Sequence, residues 1–417
     1  MHQTVREFFR PAGPTGLTVF RMSGNNDAHL GIAISCIRYL MLCATNSSLS
    51  DPPNPTTWTT DHFEACVRYL HERPFIKYAL SCLQEHLHKC RQVTRISALI
   101  SQTREQLTSG PGSCILEAWV PQDWRLVVAT EKEQHDSKEF RKRLLHTATR
   151  MKCSQVVDVL LIAGTEVEAC LDGKTLLMVS AEIGDYATAG VLLDKGASIR
   201  ATDNEKQTAL HLAARSGHST VVGLLIDRGA EKEAMDNKGR TALHLAAASG
   251  QEGNASLLLD QGAEVKARDA ERQTALHLAA ANGRDSFVAL LMNRGISMEV
   301  EDIYGWQALH TAAWNGHEST VQMLVETLSA DMEARDECGW TALHVAAFSG
   351  RNTMVEMMVK KLGADNEAKD KAGWTALHFV AALGLKDTVQ MLIEILDVKR
   401  HAQNDDGKTE LDLAQEL

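Results

Sequence analysis

Six histidines of the 417-residue chain sit inside almost the same ten-residue string: TALHLAARSG from Thr208, TALHLAAASG from Thr241, TALHLAAANG from Thr274, QALHTAAWNG from Gln307, TALHVAAFSG from Thr341 and TALHFVAALG from Thr375. A histidine close to a hydroxyl is the pairing that general-base and nucleophilic chemistry uses, and histidine clusters are common zinc sites. Such chemistry needs partners that converge from different parts of a chain. His211, His244, His277, His310, His344 and His378 instead recur at intervals of 33 or 34 residues, so each holds the same place in a repeated unit. Met178 takes that place in a weaker copy, LLMVSAEIG from Leu176, and a thioether moves no proton. The six histidines are therefore expected to be structural, hydrogen-bonded to the neighbouring threonine and backbone. No catalytic residue is assigned.

Other chemistry-bearing strings fail on spacing. DGKT occurs at Asp172 and at Asp406, but a phosphate-cradling loop needs a glycine five residues before its second glycine, where the chain has Glu168 and Ala402. HERPF from His71 and HESTV from His317 open like a zinc-protease helix and lack the second histidine. Cys82, His86 and Cys90, with His88 beside them, share a helical face, but i to i+8 spans about 12 Å of axis, too far for one ion. Neither metal nor cofactor is expected, and the chain reads as no enzyme. Nine cysteines without paired spacings suit a reducing compartment, and Asn46 and Asn254 head glycosylation sequons that have no meaning there.

The elements that position the histidines can be read from one unit. Asp236 and Gly239 bracket a four-residue turn, taken as a hairpin tip. Thr241 can cap a first helix by accepting from the amide of His244. Leu243, Ala246 and Ala247 give that helix a face of small apolar groups, and Gly250 ends it. A second helix follows, clearest in STVVGLLIDRG from Ser219. One such unit has too little apolar surface to fold alone, so stability must come from burial between neighbours.

These strings resemble the ankyrin repeat, with its period of about 33 residues and its Thr-Pro-Leu-His-x-Ala signature. Alanine stands here where the family has proline, which the first helical position tolerates. The resemblance implies an all-α repeat solenoid, helix-turn-helix units with β-hairpin tips, over residues 141–417: about eight units and a C-terminal half repeat, DDGKTELDLAQEL. LLHTATRMK from Leu144 keeps the frame weakly. A smaller helical domain is expected over residues 1–95, from the spacing of Cys66, Tyr69, Leu70, Ile76, Leu80, Leu83 and Leu87, and a linker over 96–140. HQTVREFF (2–9), AISCIRYL (33–40), HFEACVRYL (62–70) and RPFIKYALSCLQEH (73–86) resemble the segment between NTPase and repeats in fungal NACHT-ankyrin proteins, relatives of the NLR-like signalling ATPases. In that family HQTVREFF closes a winged-helix module with the nucleotide-binding domain upstream, so this chain is expected to lack the NTPase and to bind no nucleotide. A sensor or adaptor role is implied, with the regulatory tail of a NACHT NTPase, a truncated gene model, as the alternative.

Charge and aromatic placement indicate the partner. Residues 1–140 hold 14 Lys+Arg and 14 Asp+Glu, leaving 29 against 40 for the repeats, a sign that repels phosphate backbones and argues against nucleic acid. No run of about 18 apolar residues suggests a membrane span, and the chain is read as cytoplasmic, with the nucleus open. The expected ligand is a protein, bound on the concave face of the array. Trp306, Trp340 and Trp374 follow the turn glycine in three consecutive units and are expected to stack on one another and brace the tips. Two residues before the helix-ending glycine stand Arg215, Ala248, Ala281, Trp314, Phe348 and Ala382. Bulk is evidently not needed there for packing, so Trp314 and Phe348 are expected to form one aromatic patch, with Arg215 and the tip tryptophans as further contacts. Glu301, Asp302, Asp336 and Glu337 beside them imply a partner with a basic rim.

Overall fold

The computed structural model describes residues 142–162, 165–395 and 402–415, together with Thr60, Asp61, Glu64 and Arg68. The helical domain expected over 1–95 and the linker over 96–140 otherwise lie outside the described residues, as does the Cys82, His86, His88, Cys90 face. The chain divides into two units, Met1–Asp172 with Asp194–Ala197, and Gly173–Leu193 with Ser198–Leu417. In the first, α1 (142–150) and α2 (Ser154–Ile162) bury Leu144, Leu145, Ala148, Val157 and Leu160.

The second unit is a row of helix pairs. In chain order these are α3 (Leu176–Ile183) with α4 (Tyr186–Asp194), α5 (Ala209–Ser216) with α6 (Ser219–Asp227), and α7 (Ala242–Ser249) with α8 (Glu252–Asp260). Then come α9 (Ala275–Ala281) with α10 (Asp285–Asn293), α11 (Ala308–Asn315) with α12 (Glu318–Gln322), and α13 (Ala342–Phe348) with α14 (Asn352–Lys360). α15 (Ala376–Ala382) with α16 (Lys386–Gln390) and the single helix α17 (Glu410–Gln415) complete it. Each first helix packs on the first helix of the next pair, and from α5 and α6 onward each pair packs internally. The small residues make this close stacking possible: Ala213, Ala246, Ala279, Ala312 and Ala346 are sealed from solvent, and Leu210, Leu243, Leu276, Leu309 and Leu343 fill the space beside them. The fold is the helical repeat solenoid that the period implies.

The tip at 170–175 is a two-stranded hairpin, as expected, but from Asp203 onward the tips are turns. Asp236 accepts from the Gly239 amide through its carbonyl at 3.0 Å, while its carboxylate accepts from the amides of Lys238 and Arg240. One bond per junction then joins neighbouring tips, as from the Ala270 amide to the Lys238 carbonyl and from Ile303 to Glu271. That is too few for a ladder, and among the described residues from 203 to 407 no strand forms. Gly239, at φ 74°, shows how closely neighbouring tips meet: a Cβ there would lie 2.7 Å from the Ala270 nitrogen.

The change from 33 to 34 residues has a visible cause. In a 33-residue unit the closing bond of the second helix runs from the Ala230 amide to the Leu225 carbonyl, and in the longer units from Ala330 to Leu324 and from Ala364 to Met358. The extra residue enters the end of that helix: in the first long unit the last turn widens into a π turn at Met323–Thr327, in the second Asn352–Lys360 stays α-helical, and a further π turn lies at Met391–Ile395 in the unit after His378.

Candidate functional site

The histidines form a repeated bridge. The Thr241 amide donates to His244 Nδ1 at 3.2 Å, and His244 Nε2 lies 3.1 Å from the carbonyl of Gln273 in the next unit. An amide can only donate and a carbonyl only accept, so Nδ1 is bare and the proton sits on Nε2. The Thr241–His244 pair has capping-box geometry, but the threonine hydroxyl makes its short contact, 2.9 Å, to Nδ1 instead of a full bond from the His244 amide. The imidazole thus adds the reciprocal half of the box to the expected threonine cap: it caps the threonine amide. The same bridge runs from His211 to Arg240, His277 to Trp306, His310 to Trp340, His344 to Trp374 and His378 to Ala402. Burial, the largest influence, holds His211, His244, His277, His310 and His344 below their ordinary value. Both ring nitrogens are engaged and sealed, so no proton can pass to a substrate there. At Met178 the thioether sulfur takes the Thr175 amide at 3.4 Å but has no proton for the following unit. His146, which the weak string LLHTATRMK contained, is buried in the first unit with Nε2 3.1 Å from the Ala169 carbonyl.

The aromatic residues form one chain of rings. Trp306 meets Trp314 at 5.6 Å between centroids, and Trp314 lies nearly parallel to Phe348 at 6.1 Å with an interplanar angle of 22°. Trp340 meets Phe348 at 5.2 Å and Phe379 at 4.6 Å, and Trp374 meets Phe379 at 5.0 Å. The tip tryptophans do not stack on one another, contrary to the bracing expected of them. Each leans onto an aromatic of a first helix, because Phe379 fills the gap between Trp340 and Trp374. Trp314 is 38% exposed and the other tip and helix rings are half-buried, except Phe379 at 8%. Ile303 and Tyr304 extend the apolar surface at the tip before Trp306. Phe379 was not singled out in the sequence. Its signal is an aromatic one residue after the unit histidine, where the other units carry Leu212, Leu245, Leu278, Thr311 and Val345.

The family "Ankyrin repeats (3 copies)" matches residues 177–269, 266–336 and 326–404, together more than half of the chain. The chain belongs to the ankyrin-repeat family. No curated protein matches it. Ankyrin repeats generally mediate the binding of partner proteins, and in this family they are typically scaffolds without enzymatic activity.

On this ankyrin array the acidic residues are not equivalent. Asp302 is buried and accepts from the amides of Tyr304 and Trp306. Asp336 accepts from the amides of Cys338 and Trp340 and from Trp306 Nε1 at 3.1 Å. Both serve the turns, which leaves Glu301 and Glu337 as the exposed carboxylates of the four. Arg335 and Lys371 stand among them, bonded to backbone carbonyls of the same tips. The edge is thus mixed in charge, and the case for a basic rim is weaker than the bare sequence implies. Arg215 lies apart from the aromatic chain, near Glu182 at 3.5 Å and Gln207 at 3.2 Å. Among the described residues, no cluster of three or more His, Cys, Asp or Glu side chains could hold a metal ion, and no helix is long and apolar enough to cross a membrane.

Proposed function

We propose that this ankyrin array docks a partner protein on its first-helix face, anchored by Trp314 and Phe348 and flanked by Trp306, Trp340 and Trp374. The observation that carries this reading is the unbroken ring contact from Trp306 to Trp374 over three units, at places that are small or polar in the preceding units except for the leucines that precede Phe379 at its own position. Packing between units proceeds without those rings wherever Ala248 and Ala281 stand, so the aromatics serve something other than the stack. Aromatic anchors with one face in solvent are the residue type that dominates protein interfaces. Arg215 is a secondary contact at the far end of the face. The test is the double substitution Trp314→Ala, Phe348→Ala in the full chain, read as affinity for a partner recovered on the unchanged chain. A loss of at least tenfold supports the site, and unchanged affinity moves it elsewhere.

The N-terminal strings that resemble fungal NACHT-ankyrin proteins support a narrower role, the sensor or adaptor part of an NLR-like signalling system in the cytoplasm. The same strings support the alternative of a regulatory tail that works with a NACHT NTPase. A nucleotide-binding domain encoded in frame directly before Met1 would favour the tail, and its absence would favour the free adaptor.

A further inference from the structure

Resting on that reading of the face, we infer that its occupant is a proline-rich segment in the polyproline II conformation. Phe379 lies between two tryptophans, 4.6 Å from Trp340 and 5.0 Å from Trp374, and holds the two indoles apart. The two indoles stand one repeat apart, and first helices of neighbouring repeats lie about 8 to 10 Å from each other. A polyproline II helix advances about 9.3 Å in its three-residue turn, so every third residue of such a segment meets an equivalent ring. The match is one of period and would not hold for a strand, whose side chains return to one face about every 6.8 Å.

The polar groups fit the same occupant. Trp306 spends its indole N–H on Asp336 at 3.1 Å. Trp340 and Trp374 have no acceptor for theirs among the described residues, and neither nitrogen is sealed from solvent. Polyproline II has no internal hydrogen bonds, and proline carbonyls point outward with no amide beside them. Indole donors set next to aromatic faces therefore offer what this backbone lacks, while apolar pyrrolidine rings pack on the half-exposed indoles to either side of Phe379. A preformed extended helix also loses little entropy on docking, which suits a shallow surface. Single-stranded nucleic acid is the other ligand that stacks on rows of rings, but the net acidity of the repeats disfavours its phosphates.

The full chain has seven tryptophans and so seven indole N–H resonances. Titration with an acetylated and amidated decaproline is expected to move those of Trp340 and Trp374 saturably, with no effect of a glycine-serine decamer. Trp340→Phe with Trp374→Phe, which keeps the rings and removes the donors, is expected to weaken decaproline at least fivefold. Unmoved resonances would overturn the proposal, as would equal affinity for the phenylalanine variant or a response to oligodeoxythymidine in place of decaproline. If decaproline is inert while Trp314→Ala, Phe348→Ala still abolishes partner binding, the occupant is wrong and the face stands. If the double alanine change is also without effect, both fail.

Discussion

At the scale of single residues the histidine changes meaning once its partners are known. The spacing alone made His244 a repeated feature, and its two bonds make it a coupling between units, because one nitrogen serves its own helix and the other the next repeat. His277→Ala is expected to lower stability by about 1 to 3 kcal/mol, since it orphans the Thr274 amide and the Trp306 carbonyl together. Urea unfolding measures it, and partner affinity at low temperature should be unchanged. The same ring predicts a pH effect. Five histidines are held below the ordinary 6.5, mainly by burial. Their unfolded forms therefore bind protons first as pH falls, so stability is complete above about 6.5 and is lost below it, by up to about 1.4 kcal/mol per pH unit for each histidine. Urea midpoints should hold from pH 7.5 to about 6.5 and fall from there to 5.5, and a flat profile throughout would contradict the buried neutral ring. Arg272 gives a prediction of opposite sign. It sits at φ 60° where most other tips have glycine and one has Lys206, so Arg272→Gly should raise the thermal midpoint through a gain of about 0.5 to 1 kcal/mol.

Elements were more legible than contacts. The first helices could be placed from TALH and the closing glycine because capping and left-handed termination are local, encoded in a few adjacent residues. Gly250 indeed ends its helix at φ 72°. From Asp203 onward, tip pairing was overread as hairpins, since the pairing depends on how closely units stack and not on the turn sequence. The 34-residue spacing was visible, but the π turns at Met323–Thr327 and Met391–Ile395 were not, because nothing in MLVET or MLIEI signals a widened turn. The ring chain was half legible. Trp314 and Phe348 meet as their shared position implied, whereas the tip tryptophans could be assigned to those rings only after Phe379 was seen between two of them.

At the scale of the whole array, among the described residues, the chemistry lies in exposed side chains and no cluster of metal-ligating groups converges. The full chain should therefore show no saturable binding of a fluorescent ATP analogue in the micromolar range, and such binding would mean a phosphate site that neither DGKT string supplies. The array also carries its own direction. The histidine bridge is absent at Met178, runs unbroken from His211 to His378, and gives way to Asp412, whose carboxylate takes the Thr409 amide at 2.9 Å and has no proton to hand on. Leu411, 53% exposed, occupies the place of leucines that are buried in every preceding unit of the row. What distinguishes one part of this row from another is the aromatic face over residues 306–379, and the most direct test of that claim is a paired measurement on Trp314→Ala, Phe348→Ala. Affinity for the partner recovered on the unchanged chain and the urea midpoint are to be measured on the same preparation. The account predicts at least a tenfold loss of affinity with helicity retained, while affinity equal to that of the unchanged chain would contradict it.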